Sequence, residues 1–107
     1  MPILREWRAE IRRAESHEYV DYIRSTGLAD YWNTPGNLGA WIAVRDLDAD
    51  RTEVVTISLW SSWDAIRAFA GDPPDQARYY PEDERFLLTR PEKVHHYEAY
   101  GAAKATP

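Results

Sequence analysis

Leu59 to Gly71 constrains the chain more than any other stretch. An apolar strand ends at Leu59-Trp60, and Ser61 or Ser62 stands where a helix N-cap belongs, with Asp64 in the first turn that follows. Ile66, Phe69 and Ala70 then share one face of an amphipathic helix, with Trp63 near its edge. Gly71 ends that helix and Pro73-Pro74 prevents it from continuing. The strand before the junction, Thr52 to Trp60, is apolar on both sides: Val55, Ile57 and Leu59 alternate with Val54, Thr56, Ser58 and Trp60. A two-sided strand next to a one-sided helix predicts a layered α+β domain whose sheet needs cover on both faces.

The rest of the chain falls into elements around this junction. Residues 3–13 alternate, with Trp7, Ala9 and Ile11 on one face and Glu6, Arg8, Glu10 and Arg12 on the other, the period of a strand with one buried face. Ser16 offers an N-cap, Tyr19, Val20 and Ile23 follow at helical spacing, and Gly27 is placed as the C′ residue, so a first helix is expected over 17–26. Leu28 to Trp32 continues irregularly or as a short second turn. Thr34-Pro35-Gly36-Asn37 has the Pro and Gly placement of a type II turn. A second strand runs over 38–45, and Asp46 to Asp50 forms a polar hairpin loop before the third strand. Asp46, Asp48 and Asp50 lack the Gly and distal Glu of a calcium loop. Residues 75–92 make a long charged connection, with a short helical turn expected around Gln76–Tyr80, and a fourth strand follows over 94–100.

The order is β-α-β-β-α-β, a ferredoxin-like split βαβ pattern with a four-stranded antiparallel sheet. A single domain is expected over residues 1–101, with 102–107 as a flexible C-terminal tail. Two helices cover only one face of such a sheet, so the simplest cover for the other is a second copy of the chain, sheet against sheet, in a two-fold homodimer. The charged outer face of the first strand would make part of that interface polar.

Charge and composition exclude several partners. The chain has 18 acidic and 13 basic residues, and Arg5, Arg8, Arg12 and Arg13 are interleaved with Glu6, Glu10 and Glu15 rather than forming a stripe. Neither nucleic acid nor a membrane surface is therefore expected as a partner. Without cysteine there is no thiol chemistry. No cleavable signal or long apolar run appears, which makes a cytoplasmic location the default. Five Trp and seven Tyr suit a core, a pocket or an interface.

The segments Arg5-Glu6-Trp7-Arg8, Thr34-Pro35-Gly36-Asn37-Leu38-Gly39, Leu59 to Ile66, Ala77-Arg78-Tyr79-Tyr80-Pro81-Glu82-Asp83 and Val94-His95-His96-Tyr97-Glu98 together resemble the antibiotic biosynthesis monooxygenase family of dimeric α/β barrels, over residues 3–100. The resemblance implies oxidation of an aromatic or polyketide-like substrate by molecular oxygen with no cofactor and no metal. It also brings in a haem-degrading branch, but here Phe69-Ala70 stands where that branch has a helix histidine, and Trp7 lies near the place of its first-strand Asn. Related barrels cyclise polyketides with a Tyr and a His, so a non-oxidative cyclase or isomerase stays open. A small-molecule-binding protein without catalysis stays open too.

Within that frame His96 and Tyr80 are the expected catalytic residues. Trp7, Trp60, Phe69 and Tyr79 are expected to bind a small aromatic ligand. His95 and His96 are neighbours on a strand and point to opposite faces, so they cannot share one pocket or one metal. His96 could be a general base oriented by a carboxylate, or a hydrogen-bonded strand residue. Tyr80 could donate to a developing enolate or phenolate, and Tyr79 could anchor the loop on the core. Glu82-Asp83-Glu84 reads as a solvated loop face, and His17 as exposed in the first helical turn.

Overall fold

The computed structural model describes residues 1–101; the expected C-terminal tail lies outside them. Four strands, β1 (Ile3–Arg12), β2 (Asn37–Asp46), β3 (Arg51–Trp60) and β4 (His95–Glu98), form one antiparallel sheet in the order β2-β3-β1-β4. This is the ferredoxin-like arrangement expected from the element order. The helices α1 (Ser16–Ser25), α2 (Gly27–Asn33), α3 (Trp63–Ala70) and the short α4 (Asp83–Phe86) complete it. No helix among the described residues is long and apolar enough to cross a membrane.

Strand periodicity sorts the side chains. Ile3, Arg5, Trp7, Ala9 and Ile11 of β1 are buried beneath the helices, opposite Trp60, Ser58, Thr56, Val54 and Thr52 of β3. Tyr19, Ile23, Leu28, Tyr31, Ile66, Phe69 and Phe86 pack onto this face, each large apolar side chain contributing about 1.5–3 kcal/mol of burial. The other face carries Leu4, Val55, Ile57 and Leu59 with the exposed Trp41 and Tyr97, and no element among the described residues covers it. On the same face Glu53 accepts from Arg8 and Arg45, both at 2.8 Å, which forms the charged part anticipated from β1.

Ser62 is the cap of α3: its side chain accepts from the Ala65 backbone N–H at 3.1 Å. The 34–37 turn forms as expected, with Gly36 at φ +90° and the Asn37 N–H donating to the Thr34 carbonyl at 3.1 Å. Three local expectations are corrected. Ser16 is not a cap; a 3₁₀ turn over Arg13–Glu15 leads into α1, and Glu15 takes the cap position without a side-chain bond. Gly27 has no positive φ, and starts α2 directly after α1.

The third correction concerns residues 76–80, which form no helical turn: Gln76 bridges Lys93, and the Ala77 N–H donates to the Glu92 carbonyl at 2.8 Å. The helical turn lies further on, at α4. The same connection then continues the edge of β1: Leu87 pairs with Ile11, and the Leu88 N–H donates to the Glu10 carbonyl at 2.8 Å, while β4 pairs only with residues 3–6.

Candidate functional site

Between β1, α1, α2 and the 72–94 connection lies a cavity of about 30 Å³. Trp7 and Arg5 of β1, Thr56 of β3, Tyr19 and Ile23 of α1, and Tyr31 of α2 form its interior, while the exposed Arg78 and the half-buried Tyr80 form its rim. Two of the residues expected from sequence, Trp7 and Tyr80, are among its walls. Trp60 and Phe69 are not; they lie beneath Tyr31, with ring centroids 6.0 and 4.6 Å from it. The Trp60 indole donates to Ser58 Oγ at 2.8 Å and so satisfies its polar atom inside the core. Tyr79 anchors the connection: its ring meets Trp7 edge-on, its hydroxyl donates to the Pro91 carbonyl, and the Trp7 indole donates to it at 3.3 Å.

Arg5 enters the sequence analysis only as one of the interleaved charges of the first strand and the turn after it. It is 2% exposed. Its Nη1 donates to the Pro74 carbonyl at 2.6 Å and to His96 Nε2 at 3.1 Å, and its Nη2 donates to the Gln76 carbonyl at 2.7 Å. The guanidinium carbon stands 5.6 Å from the centroid of Phe69. Burial lowers the Arg5 pKa, opposed by the neighbouring Tyr31 and Asp75. The signal was available, since position 5 has the parity of Trp7, Ala9 and Ile11 and must point inward with them.

His96 reaches the same spot from β4, paired in register with Arg5. It is half-buried, with its ring edge-on to Trp63 at 5.0 Å, and it does not line the cavity. Because Arg5 can only donate, Nε2 must be the unprotonated nitrogen. Desolvation first, and then the charge of Arg5, lower the His96 pKa to about 4, so the ring is neutral near pH 7. His95 is exposed on the opposite face, as alternation requires.

Tyr80 donates its phenolic proton to Asp30 Oδ2 at 2.6 Å, and burial together with that carboxylate raises its pKa. Arg78 stands 3.5 Å from the same Asp30 oxygen, and its guanidinium carbon lies 4.9 Å from the centroid of Phe69 and 5.5 Å from that of Tyr80.

Asp83 corrects the reading of 82–84 as a solvated face. It is 2% exposed, accepts from the Tyr19 hydroxyl at 2.9 Å and from the Tyr80 N–H at 2.7 Å, and burial raises its pKa against these bonds. Nothing in the local sequence separates it from its exposed neighbours Glu82 and Glu84. Among the described residues no three His, Asp or Glu side chains converge on a common point for a metal.

No protein-family model matches the sequence, and neither does any curated protein. Solved structures do match. A Bacillus cereus protein described as an antibiotic biosynthesis monooxygenase superposes with a TM-score of 0.64 at 16% identity, over 95% of this chain and 98% of the other. This chain has the antibiotic biosynthesis monooxygenase fold. A second structure with that fold, the Streptomyces coelicolor monooxygenase from the ActVA-Orf6 gene in complex with nanaomycin D, superposes with a TM-score of 0.58 at 21% identity, over 98% of this chain and 92% of the other.

Proposed function

We propose that the protein is a monooxygenase that oxidises a small phenolic or polyketide-like aromatic compound, bound between sheet and helices, with molecular oxygen and no cofactor. The fold likeness motivates the reaction class, and the observation that carries the reading is a cavity in which phenol hydroxyls and a buried guanidinium meet aromatic walls. Trp7 supplies a flat wall, while Trp60, Phe69 and Tyr79 support the site from behind Tyr31 and Trp7. The substrate phenol gives its proton to the Tyr80 oxygen as Tyr80 passes its own to Asp30, a relay set up by their 2.6 Å bond. Arg5 stabilises the resulting phenolate, and His96 acts on it indirectly by holding the guanidinium in place.

The activated ring carbon then takes up oxygen as a hydroperoxide. Loss of water leaves a carbonyl, so that one oxygen atom enters the product, the other leaves as water, and the substrate supplies all four electrons. A ring system does not fit about 30 Å³, so entry requires Tyr80 and Arg78 to part from Asp30 at the rim. That small volume also favours a second reading, in which the site binds a ligand without turning it over.

Oxygen uptake over a panel of hydroquinones and anthrones tests the first reading. Turnover is expected in the unaltered protein, with a loss of tenfold or more in the His96→Ala/Tyr80→Phe double variant. Equal rates in both would refute the assigned roles, and saturable binding without oxygen uptake would establish the second reading.

We also infer that the uncovered sheet face packs on the same face of a second copy, closing a two-fold homodimer. Its support is the exposed Trp41 and Tyr97 beside Leu4, Val55, Ile57 and Leu59.

A further inference from the structure

We propose that the cavity selects aromatic ligands bearing an ionised oxygen, held by Arg5, whose Nε–H group the protein leaves without a partner. The inference rests on reading this cavity as the ligand site, and concerns the charge of what enters it. A guanidinium has five N–H donors. Three are taken, by the Pro74 and Gln76 carbonyls and by His96 Nε2. Of the other two, the Nε–H is buried without a partner, while Tyr31 stands close enough to the guanidinium to hydrogen-bond it.

The charge is as poorly matched as the donors. Among the described residues no carboxylate lies within 4.0 Å of Arg5. Asp75, the acid that acts on it from further off, is itself 3.5 Å from Lys93 Nζ. Asp83, the carboxylate in the cavity wall, has both oxygens engaged by Tyr19 and by the Tyr80 N–H. At the rim Arg78 adds a second cation.

A buried guanidinium without a counter-charge is costly, because desolvation is not repaid by an opposite charge. Two carbonyls and an aromatic face offset part of that cost. Stapling the 72–94 connection needs donors but does not need a positive charge, so the staple alone leaves the arginine unexplained. An entering oxyanion would supply both the missing acceptor and the missing charge. The cavity volume of about 30 Å³ suits a single polar head, since one water needs about 10–15 Å³. The ring behind it lies against the walls of Trp7, Tyr19 and Tyr31 once Tyr80 and Arg78 have parted from Asp30 at the rim. A carboxylate and a phenolate share this chemistry.

Two matched pairs of probes test the proposal by ligand-observed NMR and calorimetry under nitrogen: benzoate against benzamide, and 4-nitrophenol against nitrobenzene. At least tenfold tighter binding of either ionised probe is expected, and which one prefers the site identifies carboxylate or phenolate as its oxygen source. The absorbance of bound 4-nitrophenol supplies a readout that needs no variant, and its ionisation midpoint should fall by about one pH unit or more, the equivalent of a tenfold preference. Arg5→Lys keeps a charge but not the fork and should reduce the preference; Arg5→Met should abolish it where the variant folds. Equal affinity within both pairs, or a midpoint that stays or rises on binding, overturns the proposal and leaves the cavity standing as a ligand site. Failure of all four probes to bind overturns both.

Discussion

His96 holds a neutral imidazole against a permanent cation, and that arrangement has a measurable signature. In the unfolded chain the ring takes up a proton near pH 6.5, whereas in the folded protein it does so near 4, because the site is partly desolvated and Arg5 is adjacent. A depressed histidine pKa means that the unfolded state binds the proton first. This contribution to stability is therefore whole above pH 6.5 and is lost as the pH falls towards 4. An NMR titration of the ring should show a midpoint near 4, and one at 6 or above would contradict the geometry. Urea unfolding at pH 7 and pH 5 should show a smaller pH-dependent loss in His96→Gln than in the unaltered protein.

The same contact explains what could be foreseen at this scale. The face on which His96 lies follows from alternation, as does the inward direction of Arg5. That these two meet depends on β4 crossing the chain to pair with β1, and no local pattern encodes that register. Asp83 and Arg78 acquire their places from the same long connection, so their roles were equally hidden.

At the scale of elements, the junction from β3 into α3 was legible because every signal in it is local: a strand period, a serine cap, an apolar helical face and a terminating glycine. Where tertiary pairing overrides local preference the reading failed, as at 76–80, whose backbone partners lie near residue 92. Gly36 sits between these regimes. Its turn was recognisable from Pro35-Gly36, yet its tightest constraint comes from α3: the Gly36 carbonyl accepts from the Ser61 N–H at 2.9 Å, and a Cβ at Gly36 would stand 2.5 Å from the Cβ of Ala65. Gly36→Ala therefore combines a left-handed backbone with overpacking against a helix, and should cost about 2–4 kcal/mol in denaturant unfolding. A loss below about 0.5 kcal/mol, the scale of an ordinary surface change, would show that α3 moves aside freely.

For the whole molecule, the two-sided sheet remains the feature that sequence alone conveyed best. The helices bury one face, and the other keeps Trp41 more than half exposed, at 56%, in a patch next to the Glu53 ion pairs. Trp41→Glu should leave the fold intact, since the ring is largely exposed over Gly39, and should break a sheet-to-sheet pair. Sedimentation velocity checks this, with a dimer expected for the unaltered chain and a monomer for the variant. A monomer in both cases would leave the apolar face without the proposed cover.

The sheet order also sets the sequence of events by which the chain can fold. β1, made before the other three strands, is central and finds its strand partners in β3 and β4, with Ile3 opposite Trp60 and Glu98. Until residue 51 and beyond have emerged, its alternating apolar face has no neighbour within the sheet, and the Ala99 N–H reaches the Pro2 carbonyl only at the end. Such distant pairing slows folding relative to helical proteins of similar size, and leaves the amino-terminal strand exposed to wrong partners while the ribosome finishes the chain.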